Sequence, residues 1–207
     1  MNSIDKPGEK RHHDPEKARL RCRQVLDAAA ECFGRSGFHG ASMAEISKAA
    51  GMSAGHIYNY FDGKDAIIIA FVEENVQRVS AMLRDLESQA DPLQTMLDDV
   101  PRSVRDDLAR AKWILPLEIT AEASRNPKIA DVVHDADRRT RAQFCAILKA
   151  GREQHGLPVD DAVLEGRMNA IITMFQGLPV RATHNPDLDP EPLIASFQLA
   201  LRTLLFS

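Results

Sequence analysis

Aromatic residues and cysteine are scarce in this chain of 207 residues, and their scarcity narrows the classes of protein that it can encode. Aromatic residues make up only 5% of the sequence. β-Branched residues are also few beside Ala, Leu, Arg, Glu and Asp, which favours helix over strand. The three cysteines are an odd number without a Cys-x-x-Cys pair. We therefore interpret Cys22, Cys32 and Cys145 as small apolar core residues rather than as disulfide partners.

Long apolar runs are absent too, so no membrane span is expected, and the first twenty residues are too charged for a signal peptide. These absences predict a cytoplasmic protein. The net charge of −4 argues against non-specific binding of nucleic acid, but the charge is unevenly distributed. Residues 1–24 carry seven Lys/Arg against four Asp/Glu, whereas residues 66–207 carry 16 against 21. A basic end ahead of an acidic body is typical of a protein that contacts DNA at one end only.

Helical periodicity recurs after residue 13, and no alternating strand pattern or hairpin dipeptide is present. Helix-start signals include Asp14-Pro15 and Asn126-Pro127, and Asp62 is the expected N-cap of a long fourth helix. The predicted helices span residues 14–37, 42–51, 53–60, 63–89, 92–109, 111–124, 126–156, 160–181 and 191–206. The predicted fold class is therefore all-α, with about nine helices. Pro116 should kink its helix, because it removes the bond to the carbonyl of Lys112.

Two short predicted helices between residues 42 and 61 have the plan of a helix-turn-helix. Ser42-Met-Ala-Glu45 is a capping box at the start of the first helix, and Gly51-Met52-Ser53 supplies the tight turn. The outward positions of the second helix are small or hydrogen-bonding, which lets a helix sit deep in the major groove and reach bases or phosphates. These positions are Ala54, Gly55, His56, Asn59 and Tyr60.

The sequence of this region resembles the DNA-binding domain of the TetR/AcrR family of transcriptional regulators. Residues 23–67 read RQVLDAAAECFGRSGFHGASMAEISKAAGMSAGHIYNYFDGKDAI. The positions that match in the family's order and spacing are Ala29, Phe33, Gly37, Ile46, Gly51, Ser53, Tyr58, Phe61 and Lys64. The rest of the chain resembles the family only in length and helical layout. Residues 1–13 are polar and without periodicity, which predicts a disordered basic arm. The resemblance implies a DNA-binding domain (14–65) and a ligand-binding and dimerisation domain (66–207).

The resemblance also implies a set of DNA contacts. The nine residues concerned are Ser42, Ser53, Ala54, Gly55, His56, Tyr58, Asn59, Tyr60 and Lys64. The two serines would contact phosphates at helix N-termini, and residues 54–56 would face the bases. Tyr58 would meet a thymine methyl group or a phosphate, and Lys64 a phosphate; Asn59 and Tyr60 would reach the backbone. Two alternatives stay open: Tyr58 as a core aromatic with its hydroxyl at the surface, and Lys64 as a solvated surface charge.

The last predicted helix is apolar around most of its circumference, which a helix on a monomer surface does not tolerate. Its apolar residues are Leu193, Ile194, Phe197, Leu199, Ala200, Leu201, Leu204, Leu205 and Phe206. A homodimer with a four-helix interface from residues 160–181 and 191–206 would bury both sides of this helix, and the family resemblance implies the same dimer. Burial of the helix inside the monomer is the alternative.

A pocket for a small, largely apolar effector is the expected purpose of the C-terminal domain. The candidate lining residues are Met82, Met96, Trp113, Glu118, Glu122, Phe144, Met174 and Phe175, with the two glutamates as polar anchors. In this hypothesis the helix at 63–89 acts as a lever between the pocket and the DNA contacts. The alternative is that methionine and aromatic side chains at helical spacing form ordinary core.

Two other classes of protein are alternatives for this chain. A helix-bundle enzyme would need paired Glu-x-x-His motifs, but the chain has a single Asp131-x-x-His134, and no Walker or Gly-x-Ser-x-Gly motif. We therefore expect no enzyme activity, catalytic residue, metal or cofactor. A DNA-binding scaffold without an effector is the second alternative. The expected function is a dimeric regulator, a repressor by the family's usual behaviour, that binds a palindromic operator and is released by its effector.

Overall fold

The computed structural model describes residues 15–109 and 114–207, and these residues form nine α-helices and no strand. The helices are α1 (Pro15–Gly40), α2 (Met43–Ala49), α3 (Ala54–Ile57), α4 (Lys64–Glu87), α5 (Pro92–Leu108), α6 (Ile114–Ala123), α7 (Pro127–Gln154), α8 (Asp161–His184) and α9 (Pro190–Phe206). The prediction of an all-α fold is confirmed. No helix in the described ranges is long and apolar enough to cross a membrane.

Side-chain caps begin several helices where the sequence predicted them. The carboxylate of Asp160 accepts a hydrogen bond from the amide of Val163 at 3.0 Å, and the side chain of Asn126 accepts one from Lys128 at 3.2 Å. Such caps satisfy amides that have no partner inside the helix. The predicted cap at Asp62 is wrong, because α4 begins at Lys64 with Gly63 as its N-cap and no side-chain cap bond.

Smaller differences concern helix ends. The α-helical part of α3 stops at Ile57, and turns continue the chain to Tyr60. Helix α8 runs through the interior Pro179 to His184, so the predicted loop at 183–190 shortens to residues 185–189. The expected arm at 1–13, the cap at Asp14, the candidate Trp113 and the bond to Lys112 that Pro116 removes lie outside the described residues.

The N-terminal helices pack on one hydrophobic cluster that continues into the body of the protein. Its fully buried members include Phe33, Ile46 and Ile57 from the first three helices, together with Ile67 of α4 and Ile129 of α7. Residues of the helix-turn-helix, α1, α4 and α7 therefore belong to one continuous core. The predicted domain boundary between residues 65 and 66 stays a prediction, since this core extends on both sides of it.

The second cluster joins α5, α7, α8 and α9. Helices α5 and α7 approach closely at Gly151, where an added methyl group would lie 2.7 Å from the Leu93 side chain. The buried Arg152 of α7 donates to the carbonyls of Pro158 at 2.9 Å and Leu205 at 2.7 Å, which ties the end of α9 to this cluster. Burial, and the nearby charge of Arg167, lower the pKa of the Arg152 guanidinium.

Candidate nucleic-acid interface

The first helix of the helix-turn-helix is fixed at its start by the predicted capping box. The Ser42 hydroxyl oxygen accepts a hydrogen bond from the Glu45 amide at 3.2 Å, and Glu45 Oε2 accepts one from the Ser42 amide at 2.8 Å. The Ser42 amide and hydroxyl that bond to the carboxylate hold the pKa of Glu45 below its usual range. The capping box is confirmed, and it places the N-terminus of α2 at the protein surface.

The turn that follows α2 depends on a glycine. Gly51 has φ +62°, a left-handed conformation that residues with a side chain adopt only at a cost. Immediately after it, the Ser53 hydroxyl oxygen accepts a hydrogen bond from the His56 amide at 3.2 Å and starts α3. Ile46 of α2 and Ile57 of α3 are completely buried beneath the turn. These contacts fix α3 relative to α2.

The opposite face of α3 is open to solvent. Ser53, Ala54, Gly55, His56, Tyr58 and Asn59 are all exposed, and Tyr60 is half-buried. The Tyr58 side chain is 53% exposed, so it is not the core aromatic that was one alternative from the sequence. His56 and Tyr60 stack edge to face, with 5.3 Å between ring centroids. The structure thus brings the predicted base- and phosphate-contacting residues of α3 together on one exposed surface.

Lys64 is engaged within the protein. Its ammonium donates hydrogen bonds to the carbonyl oxygens of Phe38 at 2.5 Å and Ala41 at 2.8 Å, and lies 3.5 Å from that of His39. It also lies 4.6 Å from the centroid of the Phe38 ring, within the range of a cation–π interaction. Lys64 is therefore not merely a solvated surface charge. Two of the three N–H groups of the ammonium are used in these bonds, which leaves one for a phosphate. The predicted phosphate contact of Lys64 stays a prediction.

The segment that Lys64 holds, residues 37–41, is held from its other side by α6. The regular helix breaks at Gly37, which has φ +71°, as the sequence predicted. Glu118 Oε2 then accepts a hydrogen bond from the Phe38 amide at 2.9 Å. Glu122 Oε2 lies 2.9 Å from His39 Nε2, and Glu122 is only 4% exposed. We call residues 37–41 with these partners on α4 and α6 the joint, since they connect the helix-turn-helix to the body.

The seven predicted effector-binding residues in the described part of the chain do not lie together. Met96, Phe144, Met174 and Phe175 are half-buried around the second hydrophobic cluster. Glu118 and Glu122 belong to the joint, and Met82 is 54% exposed on α4. The role of these three residues in binding an effector stays a prediction. Sequence reasoning missed the joint, although the break expected at Gly37 marked the place where a helix from the body could bond to freed backbone groups.

Two surface clefts in the described part of the chain are not lined by these residues. A cleft of about 190 Å³ is bounded by α5 and by the α8–α9 connection, with Arg105 and Leu188 among its lining residues. A second, of about 150 Å³, lies between α4 and α7 at Leu83 and Ile147. Both are small beside typical sites for organic ligands, which measure roughly 300–1,000 Å³.

A capped short helix, a glycine turn and a second short helix with an exposed face, all resting on a helical body, define a DNA-binding transcriptional regulator. Comparison with known proteins agrees. Residues 25–71 match the model of the tetR family of bacterial regulatory proteins, and residues 89–205 match that of the C-terminal domain of BetI-type transcriptional repressors. The second match alone spans more than half of the 207 residues. The chain therefore belongs to the TetR family of transcriptional regulators and is not an enzyme.

Relatives align along most of the chain. The regulator UidR of Escherichia coli K12 is 27% identical over 184 residues, which span 88% of this chain and 89% of UidR. The repressor Rv1474c of Mycobacterium tuberculosis is 30% identical over 165 residues, 70% of this chain and 79% of that protein. The solved structure of GusR from Salmonella enterica has a TM-score of 0.72 at 25% identity and covers 95% of this chain and 99% of its own. FadR of Bacillus subtilis in complex with stearoyl-CoA shares the fold, with a TM-score of 0.70 at 20% identity over 88% of this chain and 97% of FadR.

Proposed function

We propose that this protein is a dimeric, ligand-responsive repressor that binds a palindromic operator through Ser42–Lys64. The observation that carries the proposal is the exposed face of α3, set on a completely buried support. Tyr58, 53% exposed next to this support, is placed where its ring and hydroxyl can meet DNA. Residues 54–56 meet the bases and the capped N-termini at Ser42 and Ser53 meet phosphates.

The dimer is proposed to form through α8 and α9. Leu199 is 71% exposed, Val163 52% and Val180 44%, and all three lie on these two helices. Apolar side chains of this size favour an interface. The apolar residues that face inward, such as Leu201 at 1% exposure, belong to the protomer core, so burial inside the monomer accounts for that side of α9. A symmetric pair would cover the outward side and place two copies of α3 in successive major grooves.

The effector is proposed to be small and largely apolar, and to bind near Met96, Phe144, Met174 and Phe175. These half-buried side chains are apolar and lie where α5, α7 and α8 meet. A ligand that enlarges this core would displace α4 and α6, the two helices that hold the joint. Because α6 bonds directly to residues 38 and 39 of the joint, just before α2, a shift of α6 changes the position of the helix-turn-helix. A coupling of about 1–3 kcal/mol would lower operator affinity roughly 5–150-fold.

The DNA contacts are tested with a duplex selected from a random library by the wild-type protein. Tyr58→Ala should weaken binding to that duplex, and His56→Ala should change the preferred bases in a repeated selection. His134→Ala is the matched control, because His134 is an exposed histidine on α7, distant in sequence from the motif. Failure of the wild-type protein to select any sequence, or unchanged binding by both variants, would contradict the proposal.

The effector is tested by release of the same duplex. A panel of small apolar compounds, fatty acids and aromatic acids among them, is screened for loss of DNA binding. Phe175→Ala should weaken the response to an active compound while ligand-free DNA binding stays nearly intact, since Phe175 packs on Phe197 far from α3. An active compound that competes at His56 and Tyr58 would contradict the coupling. If no apolar compound releases the DNA, the effector-free scaffold becomes the better description.

A further inference from the structure

The first ten residues of α1 lie at the edge of the hydrophobic core, against which only Cys22 of their apolar residues packs. No residue from Pro15 to Gln24 is buried, and the first buried side chain of the helix is Val25. Leu20 is 61% exposed within this stretch. Ten helical residues span about 15 Å. Helices in proteins owe most of their stability to packing, so a partner would further stabilise a stretch that packs so little. We call residues 15–24 the α1 extension.

The charge of the α1 extension indicates what kind of partner would suit it. It carries four Lys/Arg residues and a single Glu. Arg23 is bonded to Asp27 at 3.1 Å and Glu74 at 3.2 Å, so its charge is balanced within the protein. Arg21, by contrast, has as its partner the neutral side chain of Gln24, at 2.8 Å, and no carboxylate in the described residues forms an ion pair with it. An exposed guanidinium without a carboxylate favours a polyanion as the partner.

Gln24 places this charge beside the helix-turn-helix. Its Nε2 donates to the carbonyl oxygen of Ala50 at 2.6 Å, while its Oε1 accepts from Arg21. Ala50 is the C-cap of α2, directly before the Gly51 turn that leads into α3. One amide thus bridges the Arg21 guanidinium and the backbone of the turn. The exposed face of α3 begins three residues after Ala50, at Ser53.

We propose that the α1 extension is a second DNA contact, in which Arg21 binds a backbone phosphate beside the groove that α3 enters. This inference rests on the proposed function. Gln24 is a positioning residue: it holds the guanidinium so that its N–H groups can bond to phosphate oxygens in the paired geometry that arginine favours. The contact carries no sequence information itself, but it fixes the orientation of α3 and widens the footprint on the DNA.

The experiment compares Arg21→Ala with Arg78→Ala on the duplex selected by the wild-type protein. The two arginines are matched, since each is exposed and bonds to an amide oxygen three residues away on its own helix. Arg78 lies on α4, away from the turn. Arg21→Ala should weaken binding roughly tenfold. It should also lower the slope of log affinity against log salt by about 0.9 per protomer, whereas Arg78→Ala changes neither.

A modified duplex identifies the contact itself. Methylphosphonates, which carry no charge, are placed one at a time at the phosphates that flank each half-site. At one position the modification should lower the affinity of the wild-type protein for the duplex. The same modification should not lower the affinity of Arg21→Ala any further. Gln24→Ala should give an intermediate loss of affinity with its thermal unfolding unchanged.

Three results would overturn the inference. The first is an unchanged affinity of Arg21→Ala for the duplex, and the second is a loss of affinity without a change in the salt slope. The third is that the loss caused by the methylphosphonate and the loss caused by Arg21→Ala add together at every phosphate position. Each of these can occur while Tyr58→Ala and His56→Ala behave as expected, so failure here is distinguishable from failure of the proposed function. Failure of the wild-type protein to select any DNA would contradict both the proposed function and this inference.

Discussion

Removal of the Lys64 ammonium tests whether this residue holds the joint together. Lys64→Met keeps most of the side chain over the Phe38 ring but removes its hydrogen bonds to the Phe38 and Ala41 carbonyls. A hydrogen bond to a charged group contributes about 1.5–3 kcal/mol. Water can reach part of this half-buried site and bond to the freed carbonyl oxygens, which recovers some of that free energy. We expect a destabilisation of about 2–3 kcal/mol, which corresponds to a fall in Tm of roughly 5–10 °C for a protein of this size.

The assay is thermal unfolding by far-UV circular dichroism at one protein concentration, so that any dimer contributes equally to each variant. Lys48→Met is the matched control, because Lys48 is an exposed lysine on α2. Its Tm should match that of the wild-type protein. Equal melting of the two variants, with a reduced salt slope of DNA binding in Lys64→Met alone, would refute this reasoning. Lys64 would then be a phosphate ligand, as the family resemblance implies, and not a structural tie.

Three further variants test other parts of the structure. Leu199→Glu should convert the dimer to a helical monomer in sedimentation at micromolar concentration, and a wild-type monomer would contradict the interface. Gly151→Ala should lower the free energy of unfolding by about 1–3 kcal/mol through overcrowding. Gly34→Ala on α1, where the added methyl group would lie 3.7 Å from the Ile114 side chain, should instead raise it by about 0.5–1 kcal/mol. The lowered pKa of Glu45 means that its bonds to Ser42 stabilise the protein above the ordinary carboxyl pKa and are lost as pH falls through the lower, folded-state value. In Glu45→Gln, the free energy of unfolding, measured by urea titration, should therefore fall less steeply as the pH is lowered.

The helix-turn-helix could be predicted from the sequence because its signals are local. Ser42 and Glu45 are three residues apart, and their bonds depend on that spacing alone. Gly51 stands where the turn requires a left-handed residue. Asp62 carried the same kind of signal but was the wrong cap, because Lys64 bonds to the α1–α2 connection and the helix begins there. A distant contact decided that boundary.

The candidate pocket could not be predicted in the same way, since it depends on which faces of distant helices meet. Met82 has the apolar character of a lining residue, but α4 turns it toward solvent. Glu118 and Glu122 share a helix face, as their spacing indicates, and that face meets α1. Helical periodicity assigns residues to a common face, and the partner of that face is settled by tertiary packing alone.

The joint also bears on how the protein unfolds. Phe38 donates its amide to Glu118 of the body, its carbonyl is held by Lys64, and its ring packs 5.5 Å from that of Phe33. A fragment cut after residue 61 would lose all of these bonds except the ring contact, together with the cover that Ile129 gives to its core. The DNA-reading helices are therefore no freestanding module that a linker could transplant onto another protein. Loss of the joint should therefore speed the exchange of amide protons in α2 and α3 with solvent.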